Sequence, residues 1–201
     1  MRAFIPIIEG IFSKANMLTK LITTIFISPD KGWVNLRSAE FSVSQILLSF
    51  LFPLIFLASV ITFIGILLIE GESAELASRY FGFTFLKWIS SITISAWAIN
   101  SLVGGFKGKK DFQRILFLVI FSSAFFVIFK SLVHLFPFAR IVLLGFSFVG
   151  LIYFYFGLVE LSGISKERIT GFLLISLLVF SLNVFVLEIF WGLIFNIPIQ
   201  L

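Results

Sequence analysis

Five blocks of apolar residues constrain this chain more than any motif in it. They cover residues 43–69, 83–106, 115–135, 139–160 and 169–197. At about 1.5 Å per helical residue, each block is long enough to cross a hydrocarbon layer about 30 Å thick. A soluble core could not hide them. The chain is 60% hydrophobic and 12% charged, where soluble domains run about 45–50% apolar and about 25% charged. Twenty-nine phenylalanines suit hydrocarbon because the ring needs no hydrogen-bond partner. The fold expected is all-α: a polytopic bundle of five transmembrane helices over residues 43–201, preceded by a cytoplasmic region at residues 1–42.

That leading region carries Phe4, Ile8, Ile11, Ala15, Leu18, Ile22 and Ile25 in steps of three and four, the spacing of one helix face. Glu9, Ser13, Asn16, Thr19, Lys20 and Thr23 fall opposite. The segment is too polar to span, so an amphipathic helix in the membrane surface is expected. The alternative is packing on the protein's own cytoplasmic loops. Residues 27–33 then read as a turn, with Pro29 setting φ, Asp30 able to bond nearby backbone and Gly32 admitting positive φ. Lys14, Lys20 and Trp33 are expected at the membrane interface.

Residues 70–80 read as a loop with three glutamates. The second block is rich in small and polar residues, Ser90 to Ser101, and is expected inside the bundle. The third, rich in Phe and Ile, is expected to face lipid for most of its length. Pro53 should kink the first block, with Ser49 helping to satisfy the freed backbone. Orientation follows from Lys and Arg. Eleven lie before the first block or in the 107–114 and 160–168 loops, and four lie on the other side, Arg79, Lys87, Lys130 and Arg140. This predicts a multi-pass protein of a prokaryotic inner membrane, with the N-terminus cytoplasmic and the C-terminus outside. The same asymmetry explains the net charge of +5 without a nucleic-acid partner.

Charge within a bilayer costs about 2.5–3.5 kcal/mol on insertion scales, so each such residue needs a partner or a purpose. Glu188 lies within the fifth block with Asn183 just over a turn away. It is expected either to pair with Lys130 of the third block or to serve as a proton or ion site. Arg140 and His134 can join that cluster or snorkel outward. Glu160 ends the fourth block, where a carboxylate opposes the helix dipole; Arg37, Lys166 or Arg168 could neutralise it. Gly150, Tyr153, Gly157 and Glu160 share one helix face, expected to be buried against another helix. Asn100 adds an intramembrane amide.

Other chemistries are discounted. There is no cysteine and one histidine, His134, so neither thiol chemistry nor a His-based metal site is expected. Gly108-Lys109-Lys110 lacks the hydroxyl and preceding strand of a phosphate loop. No Ser-His-Asp set or inverted repeat is visible. No enzyme activity, cofactor or metal is expected.

The layout resembles the Yip1 domain family. It combines an N-terminal cytoplasmic region, Pro29 leading to Trp33, five closely spaced spans, and Tyr153 and Gly157 followed by Gly163, Ile164 and Ser165 before the last span. The resemblance covers roughly residues 10–195. Pro29-Asp30-Lys31-Gly32 stands near the place of the Asp-Leu-Tyr-Gly-Pro signature of eukaryotic members, and their long N-terminal tail is missing, as in a short prokaryotic member. The resemblance implies a non-enzymatic membrane-shaping or scaffold factor, with the lipid bilayer and further copies or other membrane proteins as partners. The alternative is a small transporter or channel using the Glu188 and Lys130 cluster.

Overall fold

A computed structural model describes residues 19–38 and 41–197. Among these residues there is no strand. Two short helices, α1 (residues 19–27) and α2 (Pro29–Ser38), precede five long ones. These are α3 (Val43–Ile69), α4 (Ala74–Phe106), α5 (Phe112–Leu135), α6 (Pro137–Leu161) and α7 (Lys166–Phe195), each long and apolar enough to cross a membrane. The five expected spans are present, and the protein is an all-helical bundle.

Local chemistry sets the helix ends. At α3, Ser42 and Gln45 form a reciprocal capping box. At α4, the Ser73 hydroxyl accepts from the Leu76 amide at 3.2 Å, and Glu75 pairs with Arg79 one turn on. Residues 74–80, expected as loop, are therefore helix. Asp111 caps α5 by accepting from the Arg114 amide. Pro53 is absorbed by a π turn at Leu47–Leu51, where the Phe52 amide bonds the Leu47 carbonyl. Ser49 is exposed.

The bundle is built around α5, which packs against α3, α4 and α6. In its most apolar stretch 67% of residues are buried, against 17% in α7. The expectation that the third span faces lipid was wrong. Its Phe and Ile residues face protein on nearly all sides, so an all-round apolar helix here marks the centre of a bundle. The small-residue helix α4 is a flank, packed on α3, α5 and α7.

One end of the bundle is closed by connections. The Lys109 amide bonds the Ser162 carbonyl at 3.1 Å, linking two loops, and Gln113 donates to the Phe41 carbonyl. At this end α1 and α2 form a tight helical hairpin. The backbone of Ile25 lies so close to Gly32 that a Cβ there would meet it. Gly32 is thus needed for close approach, and its φ is not positive. Pro29 opens α2, as suits a first-turn proline, so 29–33 is helix and the bend is at Ser28.

The hairpin reaches into the bundle. Phe26 packs against Phe50, Phe121, Phe125 and Tyr153. Phe121 and Tyr153 lie roughly 12–14 Å along their helices from this end. Leu21 and Ile25 are buried, while Lys20 and Thr23 are exposed. Residues 2–18 of the expected amphipathic helix, Lys14 included, lie outside the described residues. Trp33, expected at the interface, is fully buried. Its ring meets Phe121 edge-on at 6.0 Å and covers Gly157. The space left by a missing side chain in α6 draws the indole into the bundle, where its Nε1 has no hydrogen-bond partner among the described residues.

Candidate functional site

The other end of the bundle holds most of its buried charge. Glu188 of α7 accepts two hydrogen bonds from the Lys130 ammonium of α5, at 2.7 and 2.9 Å. Lys87 of α4 approaches the same carboxylate at 3.9 Å, a Coulombic rather than hydrogen-bonding separation. Its side chain is 3% exposed. The Lys87 ammonium also lies 4.6 Å from the ring centre of Phe83 and 4.9 Å from that of Trp88, within cation–π range. Lys130 and Glu188 sit about 7–10 Å inside the near ends of their helices, and Lys87 about 20 Å from the start of α4.

A cavity of about 220 Å³ opens beside them, lined by Lys87, Lys130, Glu188 and, from the start of α6, Arg140. His134 of α5 lines it too and contacts Glu70 through Nδ1 at 2.8 Å. Gly65 makes that contact possible: a Cβ there would fall 2.5 Å from the His134 Cβ. The π turn that follows at Gly65–Ile69 carries Glu70 into place. Among the described residues Arg140 has no ion-pair partner. Three basic side chains therefore line the chamber with one carboxylate, Lys87 buried and Arg140 at the exposed rim.

A second cavity of about 270 Å³ adjoins it between α5, α6 and α7. Phe126, Lys130 and Glu188 line both. Its walls are mainly apolar, with Val119, Leu151, Phe154, Leu177 and Phe180. It runs beside the break in α6, where a short turn at Phe148 separates Arg140–Ser147 from Val149–Leu161. The hydroxyls of Ser123 and Ser147 are turned to carbonyls of their own helices.

The remaining sequence candidates are structural in their contacts. Asn183 does not join Glu188; its amide donates to the Ser91 carbonyl at 2.9 Å and the Ser95 hydroxyl at 2.8 Å, fastening α7 to α4. Trp191 does the same through Ser90. The small-residue stripe of α4 is thus a packing surface. Tyr153 donates to the Phe26 carbonyl at 2.7 Å, capping α1 at the hairpin tip. Glu160 pairs with Arg37 at 3.0 Å. Gly150 and Gly157 let α6 approach the Ser122 carbonyl and Leu118 of α5, as their shared face predicts. Asn100 lies away from the chamber, and its buried Oδ1 has no hydrogen-bond partner among the described residues.

Lys87 was missed as a site residue. Starting the second span at 83 made it a residue of the membrane boundary. The Ser73 cap and the Glu75–Arg79 pair move the helix start back to Ala74, which carries Lys87 inward. No protein-family model, curated protein or solved structure matches this chain.

The ion pair makes a stability prediction. Asn183→Leu loses two interhelical hydrogen bonds worth about 0.6 kcal/mol each in membrane proteins. Glu188→Gln should lower the unfolding midpoint in detergent further, because Lys87 and Lys130 then lack their carboxylate. Adding Lys130→Met should recover part of that loss. A double variant no more stable than Glu188→Gln would mean that charge balance does not govern this end of the bundle.

Proposed function

We propose that this chain is a non-enzymatic multi-pass protein of a prokaryotic cell membrane that binds an anionic ligand in the Lys87–Lys130–Arg140 chamber, as a small transporter or channel would. The excess of basic over acidic side chains lining the chamber carries the reading. Lys130 and Glu188 alone would balance and could serve as architecture. Lys87, buried beside that pair, and Arg140, at the exposed rim, exceed that need, and basic groups brought together favour an anion between them. Transporters use interrupted helices at ligand sites, and the turn in α6 at Phe148 lies beside the adjoining cavity.

The test is thermal unfolding of delipidated protein in neutral detergent, with added inorganic phosphate or phosphatidylglycerol. A ligand that binds the folded state raises the midpoint, by about 2.7 kcal/mol of stabilisation at a hundredfold excess over Kd. A saturable rise with at least one of the two anions, reduced in Lys87→Met, is expected. No rise with either would overturn the reading.

A membrane-shaping role, the one the Yip1 resemblance favours, draws its support from the α1–α2 hairpin. The hairpin enters the bundle from one end and reaches only roughly 12–14 Å, with Ile27 exposed at its tip. Added volume in one leaflet favours curvature, and further copies or other membrane proteins would extend the effect. Reconstituted vesicles should then become smaller or tubular as protein is added; vesicles of unchanged size at high protein content would count against this role.

Orientation has support beyond the loop count. Of the four cations on the Glu70 side, Lys87, Lys130 and Arg140 line the chamber, which leaves Arg79 as a surface charge there. That favours a cytoplasmic N-terminus. Because the chain has no cysteine, single cysteines report cleanly. Glu72→Cys should react with a membrane-impermeant maleimide in intact cells, and Lys109→Cys only after permeabilisation. The reverse pattern would invert the topology.

A further inference from the structure

We infer that the anion is the phosphate headgroup of a membrane lipid, bound with its head in the chamber and an acyl chain in the groove between α5, α6 and α7. The inference rests on the anion-binding reading above and adds what the anion is attached to. Four features of the geometry point to it.

The two cavities adjoin. Phe126, Lys130 and Glu188 line both, so a ligand with its head in one has the other beside its chain. Their chemistries differ in the way the two ends of a lipid differ. The chamber presents Lys87, Lys130 and Arg140, which recognise phosphate oxygens through charge-assisted hydrogen bonds. The groove presents Phe154, Leu177, Phe180 and Val184, which offer a chain only apolar contact. A small soluble anion would satisfy the first cavity and leave the second unused.

The direction of this polarity is also that of a lipid. The charged chamber lies near the Glu70 end of the bundle. From Lys130 the groove runs inward to Val119, about 16 Å along α5. A lipid in the leaflet at that end has its head outward and its chains pointing to the bilayer centre, so it enters this site without inverting.

A lateral entrance completes the argument. α7 lies mainly along α4 and only lightly against α6. Phe148, Leu151 and Phe185, which line the groove, are exposed on its open side. A chain can pass between α6 and α7 from the bilayer without crossing a polar barrier. The break in α6 at Phe148 lies beside this opening and adds width that a straight helix would close.

Native mass spectrometry tests the inference on full-length protein from vesicles holding equal phosphatidylglycerol and phosphatidylcholine of the same chains. Phosphatidylglycerol should be retained about tenfold better, an energy difference of about 1.4 kcal/mol. Lys87→Met should abolish the preference. Ser181→Trp, which fills the groove from α7, should lose the lipid while inorganic phosphate still raises the unfolding midpoint. Leu177→Trp fills the same groove about one turn away and serves if Ser181→Trp assembles poorly. Equal retention of the two lipids, or full retention in both groove-filling variants, would overturn the lipid inference; a persisting phosphate effect would then leave the chamber as a site for a soluble anion. Failure of both phosphatidylglycerol and phosphate to bind would remove the anion-binding reading itself.

Discussion

Charge held inside hydrocarbon must be balanced, and the Lys130–Glu188 pair is where this bundle does so. It joins α5, the helix on which the others pack, to α7, the helix with the fewest buried residues. A lipid-facing helix gains little from apolar packing, because lipid chains solvate it as well as protein does. Polar contacts therefore locate α7. Glu188 fixes it to α5, and Asn183 and Trp191 fix it to α4. The light contact with α6 is what remains when those anchors have set its position, and that gap becomes the groove.

The two ends of the molecule differ in kind. At the hairpin end, aromatic rings from α1, α3, α5 and α6 close on one another around Phe26, Phe121 and Tyr153, and Gly150 and Gly157 allow the backbones to meet. At the Glu70 end, Lys87 and Lys130 share the Glu188 carboxylate, and Arg140 lines the same chamber. Among the described residues Arg140 at the Glu70 end has no ion-pair partner, while at the hairpin end Tyr153 is paired with Phe26 and Arg37 with Glu160.

The number and rough extent of the spans were legible in the sequence, since long apolar runs admit few other folds. The pairing of Glu188 with Lys130 was legible for the same reason: each is costly alone at its depth. That Glu160 would take a basic partner followed from its place at a helix end, and of Arg37, Lys166 and Arg168 it is Arg37 that pairs with it. What was not legible depended on which helices are neighbours. The all-round apolar pattern of α5 suits lipid and a bundle centre equally, and composition cannot choose between them. Trp33 has the chemistry of an interface residue, and only the side-chain gap at Gly157, distant in sequence, turns it inward. Lys87 was hidden by a boundary set on hydropathy, although the Ser73 cap was there to be read.

The proposed phosphate anion beside Lys87 would complete the charge balance there. Solid-state NMR can measure it directly on protein in phosphatidylglycerol bilayers, through dipolar coupling between lysine side-chain nitrogen-15 and lipid phosphorus-31. Dephasing that survives dilution of the anionic lipid and disappears in Lys87→Met would place a phosphate at the chamber. Coupling that fades with dilution to the level of surface lysines, or that is unchanged in Lys87→Met, would contradict it.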